Sequence, residues 1–285
     1  MDTSRNNREP ARASSAAARP RDTATQDDIV WLAWLSRYRY ATQAQLATRF
    51  GVSSSMARRR CERLRASSLV TSHPTLAGAH QVWLPTARGL HRAGYDGLDL
   101  PTFAVGRVHH CSAVVDIASF LERRDEVVVS EREIRASCGG ATPTPEVRTS
   151  RVTTHIETGP LFCVPVGNDV GIHLPDLVVI KPPDEASRRQ CSVAVEVELA
   201  VKSRSRLQSI LGAYASAVDR GELGGVIYYA ATVKVAAAVR RAAAPLAALG
   251  PGQFAVHLLD PALLTLRRPA TASGPLGDSS RHIYR

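Results

Sequence analysis

Lysine is almost missing from this 285-residue chain: only Lys181, Lys202 and Lys234 stand among its 36 basic residues, so arginine carries nearly all the positive charge. Cysteine is sparse too. Cys61, Cys111, Cys138, Cys163 and Cys191 are odd in number and never form a C-x-x-C pair, so neither a disulfide framework nor a zinc site is expected and a reducing compartment fits. No apolar run approaches the 18 or so residues needed to cross a bilayer. The first 25 residues are polar, with Arg, Asp and Glu intermixed, unlike a secretory leader. These absences predict a cytoplasmic protein with no membrane partner.

The charge that is present is unevenly placed. The formal net charge is +10, yet residues 1–95 hold 15 Arg against 6 Asp plus Glu, leaving 21 basic and 20 acidic residues in the remainder. A basic N-terminal third on a balanced body suggests a polyanion-binding module joined to a part with another task. The length favours about two domains.

Residues 1–25 carry almost no bulky apolar side chain and read as a disordered basic tail. From Asp27 the pattern turns helical, with Ile29, Trp31, Leu32, Trp34 and Leu35 in the first helix, Gln43 to Phe50 in a second after Thr42, and a third from Ser53 to about Ser67. Leu69–Ser72 and Gln81–Leu84, separated by a turn-forming His73–Gly78, read as a hairpin. Three helices followed by a hairpin is the order of a winged helix-turn-helix, placed at residues 26–95 and ending in the strand-to-helix exit Leu84-Pro-Thr-Ala-Arg-Gly89. Residues 95–105 read as a linker. Beyond them come a helix (Val108 to Arg123), a strand (Glu126 to Glu133), a Gly-, Thr- and Pro-rich stretch, further strands, a helix (Ser203 to Asp219), a strand (Gly225 to Ala230), an Ala-rich helix (Thr232 to Leu249) and a last strand (Gln253 to Leu259). That order predicts an α/β (α+β) body at 106–260, a mixed sheet flanked by helices on both sides, and an irregular tail at 261–285.

In the third helix Ala57, Cys61 and Leu64 make the inward stripe. Ser54 and Ser55 at its start, and Arg58, Arg59 and Arg63 along it, are the candidate contacts to double-stranded DNA, since Arg pairs with phosphates and reads guanine edges, and short hydroxyl residues suit backbone contacts. A merely solvated helix is the competing reading. His73 and His80, beside the hairpin turn, are read as bystanders.

The densest chemical signal is the pair His173-Leu-Pro-Asp176-Leu-Val-Val-Ile180 and Val193-Ala-Val-Glu196-Val-Glu198-Leu, followed by Lys202. Alternation puts Glu196 and Glu198 on one face of a strand, and buried carboxylates need a cation or a partner. Phosphodiester hydrolysis needs a hard divalent cation such as Mg2+, or Mn2+, held by carboxylate oxygens. The competing reading is an internal salt-bridge network.

Pro175-Asp176 on one strand and Glu196-x-Glu198 on the next, then a helix and an apolar strand, resemble the PD-(D/E)XK nuclease superfamily. The whole order, with Leu84-Pro-Thr-Ala-Arg-Gly, Val108-His-His, Val129-Ser-Glu-Arg-Glu, His173-x-Pro-Asp and Glu196-Val-Glu-x3-Lys, more closely resembles the replication-relaxation family of plasmid and mobile-element proteins. The resemblance implies a restriction-endonuclease-like fold, Asp176 and Glu196 as metal ligands, and a catalytic set completed by Glu198 and a displaced Lys202. The superfamily's Lys position is occupied here by Glu198. The implied functions are a metal-dependent DNA endonuclease in replication or mobilisation, or a non-catalytic regulator of replication or transcription in which the nuclease-like part serves as a platform for dimerisation or DNA holding.

Overall fold

The computed structural model describes residues 24–75, 81–138, 146–148, 153–155, 162–166, 171–181 and 191–265. Residues 1–23 of the tail expected at 1–25, His80 and residues 266–285 of the C-terminal tail lie outside them, while Thr25 belongs to the ordered start of the first helix as its cap. The molecule is mixed α/β.

The N-terminal elements are α1 (Gln26–Ser36), β1 (Ala41–Thr42), α2 (Gln43–Phe50), α3 (Ser54–Ala66), β2 (Val70–Pro74), β3 (Gln81–Pro85) and α4 (Ala87–Arg92). Local chemistry starts each helix. Thr25 with Asp28, and Thr42 with Gln45, form reciprocal capping boxes, while Ser53 caps α3. Gly51 ends α2 at φ 62°, a left-handed conformation that glycine adopts without a Cβ penalty. The three strands pair antiparallel in the order β1-β3-β2. β1, which the sequence reading does not anticipate, docks on the hairpin through Ala41 opposite Trp83. The motif Leu84-Pro-Thr-Ala-Arg-Gly has a physical basis: Thr86 caps α4 and donates its hydroxyl to Ser68 O at 2.8 Å. A Cβ on Gly89 would overlap the Leu69 carbonyl oxygen.

Next come α5 (Val108–Glu122), β4 (Val127–Ser130), α6 (Glu131–Cys138), β5 (Glu146–Arg148), β6 (Thr153–His155), β7 (Val164–Val166), β8 (Gly171–His173), β9 (Leu177–Lys181), β10 (Cys191–Glu198), α7 (Arg204–Asp219), β11 (Gly225–Ala230), α8 (Val233–Ala243) and β12 (Phe254–Leu258). Five strands form the main sheet in the order β12-β11-β10-β9-β4. β10 runs antiparallel to β9 and parallel to β11, because β9 and β10 follow one another directly whereas β10 reaches β11 only through helix α7. Alternation sorts the strands. Leu177, Val179, Val195 and Val197 pack with α5, in one apolar cluster that continues into Trp31, Trp34, Leu35 and Leu46 of the first helices. Val178, Ile180, Ala194 and Tyr228 pack under α7 and α8 on the other face.

Four expectations are corrected. The predicted strand Glu126 to Glu133 stops at Ser130, because Ser130 and Glu133 form a reciprocal cap (Ser130 N to Glu133 Oε2 2.8 Å, Glu133 N to Ser130 Oγ 3.3 Å) that starts α6. The predicted helix to Leu249 ends at Ala243, before Pro245, and a 3-10 turn occupies Ala247–Leu249. Cys138 and Cys163 are joined in a disulfide that fastens the end of α6 to the segment before β7, where no disulfide was expected. The predicted linker is not a loose one: Tyr95 and Leu98 are buried beside Leu90.

A buried ion network holds the early helices to the sheet. The Arg37 guanidinium, just after α1, donates to Glu122 Oε1 at 2.6 Å, to Glu133 Oε1 at 3.0 Å and to Val128 O. Glu122, at the end of α5, also accepts from Trp34 Nε1 at 2.6 Å, from Arg49 Nε at 2.7 Å and from the Tyr38 hydroxyl at 3.2 Å. Two guanidiniums meet two carboxylates. Burial pushes the Glu122 pKa up, but Arg37 and Arg49 outweigh it and hold it below the ordinary value of 4.5.

Removing one partner strands the others, at a typical cost of about 3–5 kcal/mol. Arg37→Leu is therefore expected to lower unfolding free energy by about that amount in urea titration. Since the folded pKa of Glu122 is depressed, its contribution is complete above pH 4.5 and lost as pH falls through the lower folded value. The gap between wild type and Glu122→Gln should accordingly narrow on acidification below pH 4.5.

Candidate functional site

The antiparallel register sets Val195 opposite Leu177, which brings Asp176, immediately before β9, to the end of the same strand pair as Glu196 and Glu198. Asp176 Oδ2 accepts the Val197 backbone N–H at 2.8 Å, locking the β9 entry onto β10. Burial raises the Glu198 pKa, Lys202 opposes the rise, and Glu196 and Asp176 add to it. The three carboxylates therefore lie within electrostatic reach of one another.

Each acid has its own donor. Glu196, 3% exposed, accepts at Oε1 from His173 Nε2 at 2.7 Å and from the Tyr214 hydroxyl at 2.5 Å. Burial, then the Glu196 charge, pushes the Tyr214 phenol far up, so it remains a donor. Glu198, 6% exposed, pairs with Lys202 Nζ from the loop before α7. Asp176, whose side chain is 14% exposed, lies 3.2 Å from His110 Nε2. The same His110 nitrogen is 3.1 Å from the Val197 carbonyl. Facing two acceptors, Nε2 carries a proton. Burial acts to lower the His110 pKa, but the hydrogen bonds and charges of Asp176 and Cys111 together outweigh it and raise it to about 10.

His110 and Tyr214 are the partners that the sequence reading does not assign. His110 appears there only within Val108-His-His. Its position on the first turn of α5, facing the Val197 carbonyl, is a tertiary fact with no local signature. Tyr214 is fully buried, with its hydroxyl used by Glu196.

The Mg2+ or Mn2+ expectation is tested by this donor set. Asp176 Oδ2 and Glu196 Oε1 already take two donors each, and Glu198 is neutralised by Lys202. Among the described residues no group of three or more His, Cys, Asp or Glu side chains is arranged to hold a metal ion. As placed, these acids do not compose a divalent-cation seat.

The α3 residues divide. Arg58 and Arg59 are exposed and project from the helix. Ser54 and Ser55 are exposed at its start, where Ser54 accepts from Gln43 Nε2 at 2.7 Å. Arg63 is engaged internally, its guanidinium bound in bidentate fashion to Asp28 at 2.8 and 2.6 Å. This pair ties α3 to the cap of α1. His73 stacks on Phe103 with centroids 5.1 Å apart, in keeping with its bystander reading. No helix among the described residues is long and apolar enough to cross a membrane.

Compared with known proteins, the chain matches no family model and no curated sequence significantly.

The raised His110 pKa has a thermodynamic consequence. A cation whose folded pKa exceeds its unfolded value contributes fully below the ordinary value of 6.5 and loses the contribution as pH rises through about 10. Urea unfolding of wild type and His110→Gln should therefore show its largest gap near pH 6 and a closing gap as pH approaches 10.

Proposed function

We propose that this chain is a DNA-binding regulator of replication or transcription, built as a winged helix-turn-helix on a nuclease-like platform and related to the replication-relaxation proteins of plasmids and mobile elements. The carrying observation is the exposed Arg58–Arg59 face of α3, the third helix, which directly precedes the antiparallel β2–β3 hairpin. In a helix-turn-helix that helix enters the major groove while the neighbouring helix crosses the backbone. Arg58 and Arg59 supply phosphate and base-edge contacts, and Ser54 and Ser55 supply backbone contacts at the helix start. Arg63 positions the helix through Asp28.

The regulator is favoured over the nuclease by the acids themselves. A cleaving site requires carboxylate oxygens free for a cation and an ammonium free for the leaving charge. Here His110, His173, Tyr214 and Lys202 are committed to the acids. The strand pair serves as a stiff platform for double-stranded DNA held by α3. A homodimer would double the contact, as helix-turn-helix proteins do on palindromic sites.

Two measurements test this. Fluorescence anisotropy with duplex DNA across a salt series should show the double variant Arg58→Ala with Arg59→Ala losing about 2 kcal/mol of affinity and roughly two units of log–log salt slope. Unchanged affinity removes α3 as the DNA contact. In a plasmid-nicking assay with Mg2+ or Mn2+, neither wild type nor Asp176→Ala should cut. Cleavage by wild type that Asp176→Ala abolishes would overturn the regulator and establish the nuclease.

A further inference from the structure

Contacts from several elements converge on the eight residues of α6. Arg132 donates to the carbonyl oxygens of Ser36, Tyr38 and Asp99, and Glu133 accepts from Arg37 at 3.0 Å. Ala136 packs against Leu90, Tyr95 and Leu98. Ile134 is buried with Phe162 and Val164 in the cluster under α7. At the end of the helix Cys138 is bonded to Cys163, 25 residues on, in the segment that enters β7.

An odd number of cysteines without C-x-x-C spacing fits a reducing compartment, and a disulfide there is typically transient and redox-sensing. The other three thiols are unbonded, and Cys61 is buried, which pushes its thiol up to about 12. Two features separate the bonded pair from a permanent staple. Cys138 is exposed, so its sulfur is open to exchange with a small thiol or disulfide. The neighbours of both sulfurs also hold them close without the bond. Ile134, one turn before Cys138, and Phe162 and Val164, on either side of Cys163, are 0%, 5% and 1% exposed in one apolar cluster. Opening the bond therefore leaves two thiols at high effective concentration, the condition for closing it again.

We propose that Cys138 and Cys163 form a reversible thiol–disulfide switch, worked by a small disulfide of the glutathione class, that fastens α6 to the β7 segment when oxidised. The Cys138 thiolate attacks one sulfur of the small disulfide, whose S–S bond breaks, leaving a mixed disulfide on Cys138 and one small thiolate. The Cys163 thiolate then attacks the Cys138 sulfur, closing the protein bond and releasing the second small thiolate. The protein gives up two electrons to the small disulfide, and the two cysteine protons end on the two small thiols. Cys138 reacts first because it is the exposed sulfur, and the half-buried Cys163 resolves. Closure holds the last turn of α6, and Arg132 and Glu133 carry that restraint to the early helices. The switch does not involve the α3 face and holds whether or not the chain binds DNA.

Equilibration of the full chain in glutathione buffers, then acid quench, alkylation and peptide mass analysis, tests this. The joined Cys138–Cys163 peptide should follow the buffer in both directions, half-formed at a ratio of reduced glutathione squared to oxidised glutathione of about 1 mM or higher. In Cys163→Ser the glutathione adduct should collect on Cys138, whereas Cys138→Ser should carry at least about tenfold less adduct on Cys163. Amide hydrogen exchange over Ile134–Cys138 should be at least about tenfold slower in the joined form, since the bond closes a long loop. Cys138→Ser should exchange at the open rate in every buffer. A bond that excess reduced glutathione does not open in the folded chain overturns the proposal, as does a pair that stays as thiols in excess oxidised glutathione. Equal adduct on either cysteine, or equal α6 exchange in both states, overturns it too.

Discussion

The contact of Arg37 with Glu122 and Glu133 is the constraint on which the arrangement of this protein rests. Arg37 follows α1, Glu122 closes α5 and Glu133 lies in α6, so one guanidinium holds three elements in register. Burying these charges is costly, and the cost is offset only while every partner is present. The network is therefore all-or-none. It fixes the early helices to α5, and α5 in turn packs on the sheet through the apolar cluster that includes Val195 and Val197. Gln45 extends the same joint, donating to Ser112 O at 2.8 Å and to Asp116 Oδ1 at 2.9 Å.

The acid-bearing strand pair obeys the same rule with different partners. Glu196 and Glu198 lie on the α7 side of β10, where Ala194 and Tyr228 mark an apolar surrounding. Charges there require donors, and α7 contributes Tyr214, the loop before it contributes Lys202, and the segment before Asp176 contributes His173. Asp176 is met from α5 by His110. The donors that compensate these buried charges thus engage one oxygen of each acid: Asp176 Oδ2, Glu196 Oε1 and Glu198 Oε2.

How much of this was legible varied with how local the signal was. The helix starts at Thr42 and Ser53 were readable because caps are local, and the long strands β9, β10 and β11 because their apolar pattern is strong. The start of α6 was readable in principle, since Ser130-Glu131-Arg132-Glu133 has the spacing of a capping box, but the Val-rich run before it suggested a longer strand. That Glu196 and Glu198 share one face of β10, with Asp176 at the end of the neighbouring strand, followed from strand alternation and the short separation of β9 and β10. The identities of His110 and Arg37 as partners did not, because their contacts lie 87 and 85 residues away along the chain. Nor could spacing show that Arg63 turns inward to Asp28. Charge on a helix face does not disclose its partner.

Glu198 shows how the balance is kept locally. Glu196 and Glu198 put two carboxylates on one face of β10, and Asp176 stands at the end of the neighbouring strand. Lys202, four residues on from Glu198, returns one charge directly. His110 meets Asp176 from α5 and is held protonated above its ordinary range. Each donor serves one acid, so removing any one of them leaves a largely buried carboxylate short of compensation.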